Sequence, residues 1–271
     1  MLPKFPISDE KKNYIRHKIS EIERNHHVQV LLAIESGSRA WGFPSLDSDY
    51  DVRFIYVRTK NNYLSVNEWR DVIETPSYHD QTLDSLYDMN GWDIRKALQL
   101  ALKSNPVLVE WLVSPITYQK HSLSVEKLLD FVQQASNTNT LCYHYDRQAR
   151  RAWEQMEQMG NQVRVKTYCY ALRPALVTQW ILQHNSLPPM DMTSLCEGVV
   201  KDNQLYKEIA RLIEGKAQSQ EGDFMPRNRI IDDYISSILQ HKAEHPKMIA
   251  KNETIAAAAD NLFREILENI S

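Results

Sequence analysis

Glycine is scarce in this chain, 7 of 271 residues, and neither a G-x-G-x-x-G nor a G-x-x-x-x-G-K-[ST] phosphate loop occurs. A Rossmann dinucleotide site and a P-loop are thereby excluded. Cysteine is scarcer still. Cys142, Cys169 and Cys196 make no C-x-x-C pair and cannot build a disulfide framework. The His26-His27 pair lacks a third ligand at recognisable spacing and there is no H-E-x-x-H, so no zinc is expected. A G-x-S-x-G nucleophile elbow is absent as well. No apolar run approaches the roughly 18 residues that span a bilayer. Met1 to Lys12 is polar where a signal peptide needs an apolar stretch, so no membrane partner and a cytoplasmic location are expected. Excess charge is also lacking. With 32 Lys+Arg against 35 Asp+Glu the net charge is −3, so any binding of nucleic acid must rest on a local basic patch.

What is present is ordinary globular material, 42% hydrophobic and 25% charged, long enough for two domains. After Ser8, a candidate N-cap, Tyr14, Ile15, Ile19 and Ile22 recur at helical spacing to about Asn25. Val28 to Glu35 is a short apolar run suited to a buried strand, and Tyr50 to Val57 alternates as a second strand. Asp71 to Glu74 and Leu83 to Met89 are weaker strand candidates. From Asn90 the period becomes helical, with a stop before Asn105-Pro106. Helices are then predicted at about 107–113, 123–135, 139–160, 163–185, 202–215, 227–243 and 253–270, with SLPPMDMTS and QSQEGDFMP as the clearest loops. The expected architecture is α+β: a small mixed-sheet domain over 1–118, followed by an all-helical bundle over 119–271.

The informative stretch is LLAIESGSRAWGFPSLDSDYDVRFIYV, residues 31–57. A buried strand ends in Gly37-Ser38, ten residues intervene, and Asp49-x-Asp51 opens the next strand. Alternation places Asp49 and Asp51 on one face, with Tyr50 and Val52 on the other. Two adjacent carboxylates repel, and an oxygen-only pair suits Mg²⁺ or Mn²⁺. Gly37 would let a phosphate approach the backbone, and the Ser38 hydroxyl could donate to it. A calcium loop begun at Asp47 fails, because position six is Val52 and position twelve Arg58. A solvated acidic turn explains D-x-D alone, but not D-x-D joined to a strand, G-S and this gap.

G-S followed by D-x-D at this distance resembles the nucleotidyltransferase superfamily of DNA polymerase beta. The fuller pattern of GSRAWGFPSLDSDYDVRFIYV, DMNGWDIRKALQLALKSNPVLVEWLVSPITY and KTYCYALRPAL resembles its RlaP branch, associated with RNA ligases. The resemblance implies transfer of NMP from an NTP, ATP first, to a hydroxyl acceptor, with Mg²⁺ held by three carboxylates. The D-x-x-G-W-D motif puts the third at Asp88, with Asp84 as fallback, while Asp93 is read as the start of a helix. Lys166, Tyr170 and Arg173 share a helix face, and the resemblance makes Lys166 and Arg173 phosphate contacts, with an aromatic near the base. Arg39 is a phosphate candidate by its place after G-S. The helical domain would close over the nucleotide. His144, Arg147 and Arg151 read as a surface patch where an RNA backbone would lie if an RNA end is the acceptor. A protein hydroxyl, modified as antitoxin-type enzymes do, and a regulatory nucleotide-binding module without turnover are the alternatives.

Overall fold

The computed structural model describes residues 2–67, 69–75, 86–220, 222–241 and 253–269. Two compact units interleave along the chain. The sheet unit comprises Pro6–Gly37, Asp49–Ser136 and Ile249–Ser271, and the helical unit Met1–Phe5, Ser38–Ser48 and Asn137–Met248. This grouping differs from a single cut at 118/119, because distant segments return to pack with earlier ones.

In the sheet unit, α1 (Asp9–His26) starts on Ser8, whose side chain accepts from the Lys11 N–H. It buries Ile15, Ile19 and Ile22. Strand β1 (Gln29–Glu35) is followed by the short helix α2 (Gly37–Trp41), which the sequence reading missed, and then by β2 (Tyr50–Val57), antiparallel to β1. Beyond α3 (Lys60–Tyr63) and β3 (Val72–Thr75), strand β4 (Tyr87–Asp93) runs parallel to β2. Helices α4 (Ile94–Ala101) and α5 (Pro106–Leu112) lead to β5 (Thr117–Lys120), giving a mixed sheet in the order β3-β4-β2-β1-β5. One face packs Val52, Phe54, Tyr56 and Met89 against the isoleucines of α1. On α5, Trp111 stacks on Trp92 at 3.8 Å between ring centroids. Helix α6 (Ser122–Ala135) completes this run.

Two expectations need correction here. β4 continues to Asp93, whereas the sequence pattern put the change of period at Asn90. Its inward positions are Tyr87, Met89, Gly91 and Asp93, so glycine and aspartate hide the alternation. At Gly91 a Cβ would lie 2.0 Å from Phe54 Cε2, so close strand packing requires glycine. β5 escaped notice because only Tyr118 of its four residues is buried.

The helical unit contains α7 (Thr138–Met159), β6 (Gln162–Arg164), α8 (Val165–His184), α9 (Met192–Val199), α10 (Asn203–Ala217), β7 (Phe224–Pro226) and α11 (Arg229–Gln240). It is not all-helical, since β6 and β7 form an antiparallel ribbon. The two loops expected from composition each end in structure: Asp191 caps α9 through Ser194 N–H, and β7 lies in the second. Finally α12 (Glu253–Glu268) returns to the sheet unit, where it packs on α4 and α6 and Glu265 pairs with Lys127. Among the described residues no helix is long and apolar enough to cross a membrane.

Candidate active site

The parallel pairing of β2 and β4 sets Asp51 directly opposite Asp88. Residues in register on parallel strands project to the same face, so two carboxylates from separate segments of chain meet side by side. Like charges at this spacing need a cation. Arg53, two residues beyond Asp51 on the same face, supplies one: Nη2 donates to Asp51 Oδ1 at 3.0 Å and to Asp88 Oδ2 at 2.7 Å, while Nη1 donates to the Asp88 carbonyl at 3.0 Å. Asp51 is partly exposed, and Asp49 and Asp88 are exposed. The face therefore opens to solvent where the carboxylates lie.

The backbone of Asp51 is fixed from both sides. Its N–H donates to Glu35 Oε1 at 3.0 Å, and its carbonyl accepts from Ser36 N–H at 2.8 Å. Glu35 is fully buried at the end of β1, where its other carboxylate oxygen accepts from the Tyr118 hydroxyl at 2.6 Å and its carbonyl from Ser114 Oγ at 2.7 Å. Gly37 lies against the Asp51 carboxylate. Its φ is +58°, and a Cβ there would come within 2.0 Å of Asp51 Oδ2. The glycine of the G-S motif and the second aspartate of D-x-D thus form one packing unit.

Asp84 lies outside the described residues. Asp93 is the last residue of β4 and the N-cap of α4: Oδ1 accepts from Arg95 N–H at 2.8 Å and Oδ2 from the Tyr63 hydroxyl at 2.9 Å. Burial holds its carboxyl above the usual range. It takes the part of a helix start, as its position in D-x-x-G-W-D suggests.

Within the helical unit, Ser38 Oγ donates to Ser48 Oγ at 3.1 Å, Ser45 N–H donates to the same oxygen at 2.8 Å, and Arg39 donates to the Ser48 carbonyl at 2.6 Å. The segment between G-S and D-x-D is thus braced upon itself. Tyr170 of α8 packs edge-on against Trp41 at 5.4 Å, and the half-buried Lys166 lies over the Tyr170 ring at 5.7 Å. Arg173 departs from the expectation of an exposed phosphate contact. It is buried, donates to the Met190 carbonyl through Nε at 3.0 Å and Nη2 at 2.9 Å, and lies over Trp41 at 4.6 Å. Charge on α8 signalled an exposed face, but a carbonyl and an indole satisfy the guanidinium inside the unit. On α7, Arg147 and Arg151 are exposed, in keeping with a surface patch.

Glu35 and Arg53 were not singled out from sequence. Arg53 was accessible in principle, since strand alternation aligns it with Asp51. Among the described residues no three His, Cys, Asp or Glu side chains are grouped so as to hold a metal ion. The oxygen-only character of Asp49, Asp51 and Asp88 fits a hard divalent cation, with Arg53 bridging two of them in the conformation described.

Its family marks this chain as a nucleotidyltransferase of the polymerase-beta type. The chain matches the RlaP family, described as the RNA repair pathway DNA polymerase beta family, over residues 12–265, and it belongs to that family. The uncharacterized protein YcgL of Bacillus subtilis (strain 168) is 40% identical over 260 residues, 96% of this chain and 97% of its own. Among solved structures, a nucleotidyltransferase-like protein from Exiguobacterium sibiricum 255-15 aligns with 94% of this chain and 80% of its own, at 11% identity and a TM-score of 0.31.

Proposed function

We propose that this protein transfers NMP from an NTP, ATP first, to a hydroxyl acceptor and releases pyrophosphate. The observation that carries this reading is the register of Asp51 opposite Asp88, with Gly37 packed on Asp51. Asp49, Asp51 and Asp88 would hold Mg²⁺ or Mn²⁺. When bound, the metal supplies charge neutralisation at the triphosphate and a lowered pKa at the acceptor hydroxyl. Arg53, which bridges Asp51 and Asp88, would have to yield a carboxylate to a bound cation and would stay beside it as a positive neighbour. Ser38, by its hydroxyl, and Arg39, by its place after G-S, would contact phosphates, and the resemblance adds Lys166 as a phosphate contact and an aromatic, here Tyr170, near the base. The description of the family as an RNA repair pathway supports an RNA end as acceptor.

The test is incubation with each α-³²P-labelled NTP and Mg²⁺ or Mn²⁺ in the presence of RNA and protein pools, which are then separated. Label is expected in RNA. Label in protein alone would move the acceptor to a side-chain hydroxyl, and metal-dependent NTP binding without label anywhere would make the protein a regulatory module. Asp49→Asn with Asp51→Asn should abolish metal-dependent NTP binding. Asp88→Asn should lose turnover yet keep NTP binding, because Asp49 and Asp51 remain. Unchanged transfer in both variants would refute the assignment.

A further inference from the structure

We propose that the sheet unit carries a second ligand site, for a nucleoside phosphate, at the opposite end of the β2–β4 pair from the carboxylates. Asp51 and Asp88 are each the second residue of their strand, whereas Arg58 follows the last residue of β2 and Asp93 ends β4. Arg58 lies seven positions beyond Asp51. At about 3.3 Å per residue they lie roughly 23 Å apart. Beside Arg58 is a cavity of about 400 Å³, the size of many small-molecule sites. It opens at the carboxyl ends of the two parallel strands, where ligands of open sheets collect.

Three observations point to what fits. First, Arg58 is 8% exposed, yet among the described residues its Nε has no hydrogen-bond partner. Nη1 already donates to the His26 carbonyl at 3.4 Å, but a buried guanidinium N–H left without an acceptor is costly, and an anionic oxygen would relieve it. Second, the lining is cationic, with Arg58, Arg70, Arg95 and Lys96 against Asp71 and Asp93. Both acids are engaged, Asp71 by Lys96 at 3.1 Å and Asp93 by Tyr63 and Arg95 N–H, and Arg70 pairs with Glu74 at 2.6 Å, which leaves Arg58 and Arg95 as the cations without a carboxylate in an ion pair among the described residues. Third, Trp69 lines the same cavity, stays 53% exposed and has the Arg58 guanidinium 5.1 Å from its ring. An accessible indole beside a buried guanidinium offers a stacking surface for a base next to a donor for its phosphate, the pairing by which single nucleotides are held. Inorganic phosphate would use only half of it. A free mononucleotide and the 5′-terminal nucleotide of an RNA present the same chemistry.

The site stands apart from the carboxylates, so it does not depend on the transfer reaction. The experiment is titration of the full-length protein, in EDTA, with 5′-AMP, inorganic phosphate and a 5′-phosphorylated RNA trinucleotide, read by calorimetry. AMP is expected to bind more tightly than inorganic phosphate. Trp69→Ala, a change at an exposed ring, should weaken it about tenfold, and Arg58→Lys should weaken it too. The Asp49→Asn/Asp51→Asn protein should bind AMP unchanged. A trinucleotide that binds as well as AMP or better would identify an RNA end as the source, and one that binds worse a free nucleotide. The proposal is overturned if neither AMP nor the trinucleotide binds at millimolar concentration, if Trp69→Ala leaves affinity unaltered, or if the double aspartate variant abolishes binding.

Discussion

Adding one methyl group at Gly37 would place a carbon 2.0 Å from Asp51 Oδ2, on a backbone whose φ of +58° already disfavours an L side chain. We expect Gly37→Ala to lose about 1–2 kcal/mol from the left-handed backbone alone, seen as a lower urea midpoint, and to displace the Asp51 carboxylate. Metal-dependent NTP binding should then fall further than the stability loss explains. A variant that binds NTP normally would show that this glycine serves the turn and not the carboxylate. The G-S and D-x-D pair stands out in the sequence by its combination, a strand, G-S, a fixed gap and two carboxylates opening a second strand, since each part alone is ordinary turn material. Glu35 does not, because a charged residue ending an apolar run looks like a strand terminus. Only the fold brings Tyr118 and the Asp51 N–H to its two oxygens.

Helix α8 shows how a periodic element can be placed well while its individual side chains are misjudged. The spacing of Lys166, Tyr170 and Arg173 defines a face, but Arg173 lies inside the unit with an acceptor and a ring supplied by other segments. Arg173→Ala should therefore lower stability by about 2–3 kcal/mol, the range for losing hydrogen bonds from a charged donor. Lys166→Ala should leave the melting temperature nearly unchanged and raise KM for NTP. Thermal denaturation and steady-state kinetics separate the two, and a stable Arg173→Ala protein with raised KM would restore the expectation of a phosphate contact. The β4–α4 junction supplies a third test. Burial raises the Asp93 pKa above its ordinary 3.8, so the folded protein holds that proton more tightly than the unfolded chain. Its contribution to stability is full below that value and declines as pH rises through the raised pKa. Asp93→Asn keeps an acceptor for the Arg95 N–H and removes the titration. Its urea midpoint should therefore fall less than that of the wild type between pH 4 and 7, with nucleotidyl transfer retained.

At the scale of the molecule, the mixed sheet and the helical remainder were readable from periodicity, whereas the partition of the chain was not. Periodicity reports which face of an element is buried, and says nothing of which distant segment covers it. The sheet unit recruits α6, with Val125, Leu128, Phe131 and Val132 buried, and α12, with Leu262, Ile266 and Leu267 buried. Phe263 of α12 lies edge-on against Tyr63 at 5.0 Å, and Lys127 of α6 pairs with Glu265. A fragment ending at residue 118 keeps all five strands except the last two residues of β5, and loses both of these helices. It would leave α4, with Ala97, Leu98 and Ala101 buried, without two of the helices that pack against it. Burying each of the Val, Leu, Ile and Phe side chains of α6 and α12 contributes about 1.5–3 kcal/mol, and total stability is about 5–15 kcal/mol, so losing several removes most of the margin. We expect residues 1–118 to show no cooperative urea transition and to bind ANS, while the full chain unfolds sharply. A cooperative transition in the fragment would mean that the sheet and α1 suffice as a folding unit, and that α6 and α12 are later additions to its surface.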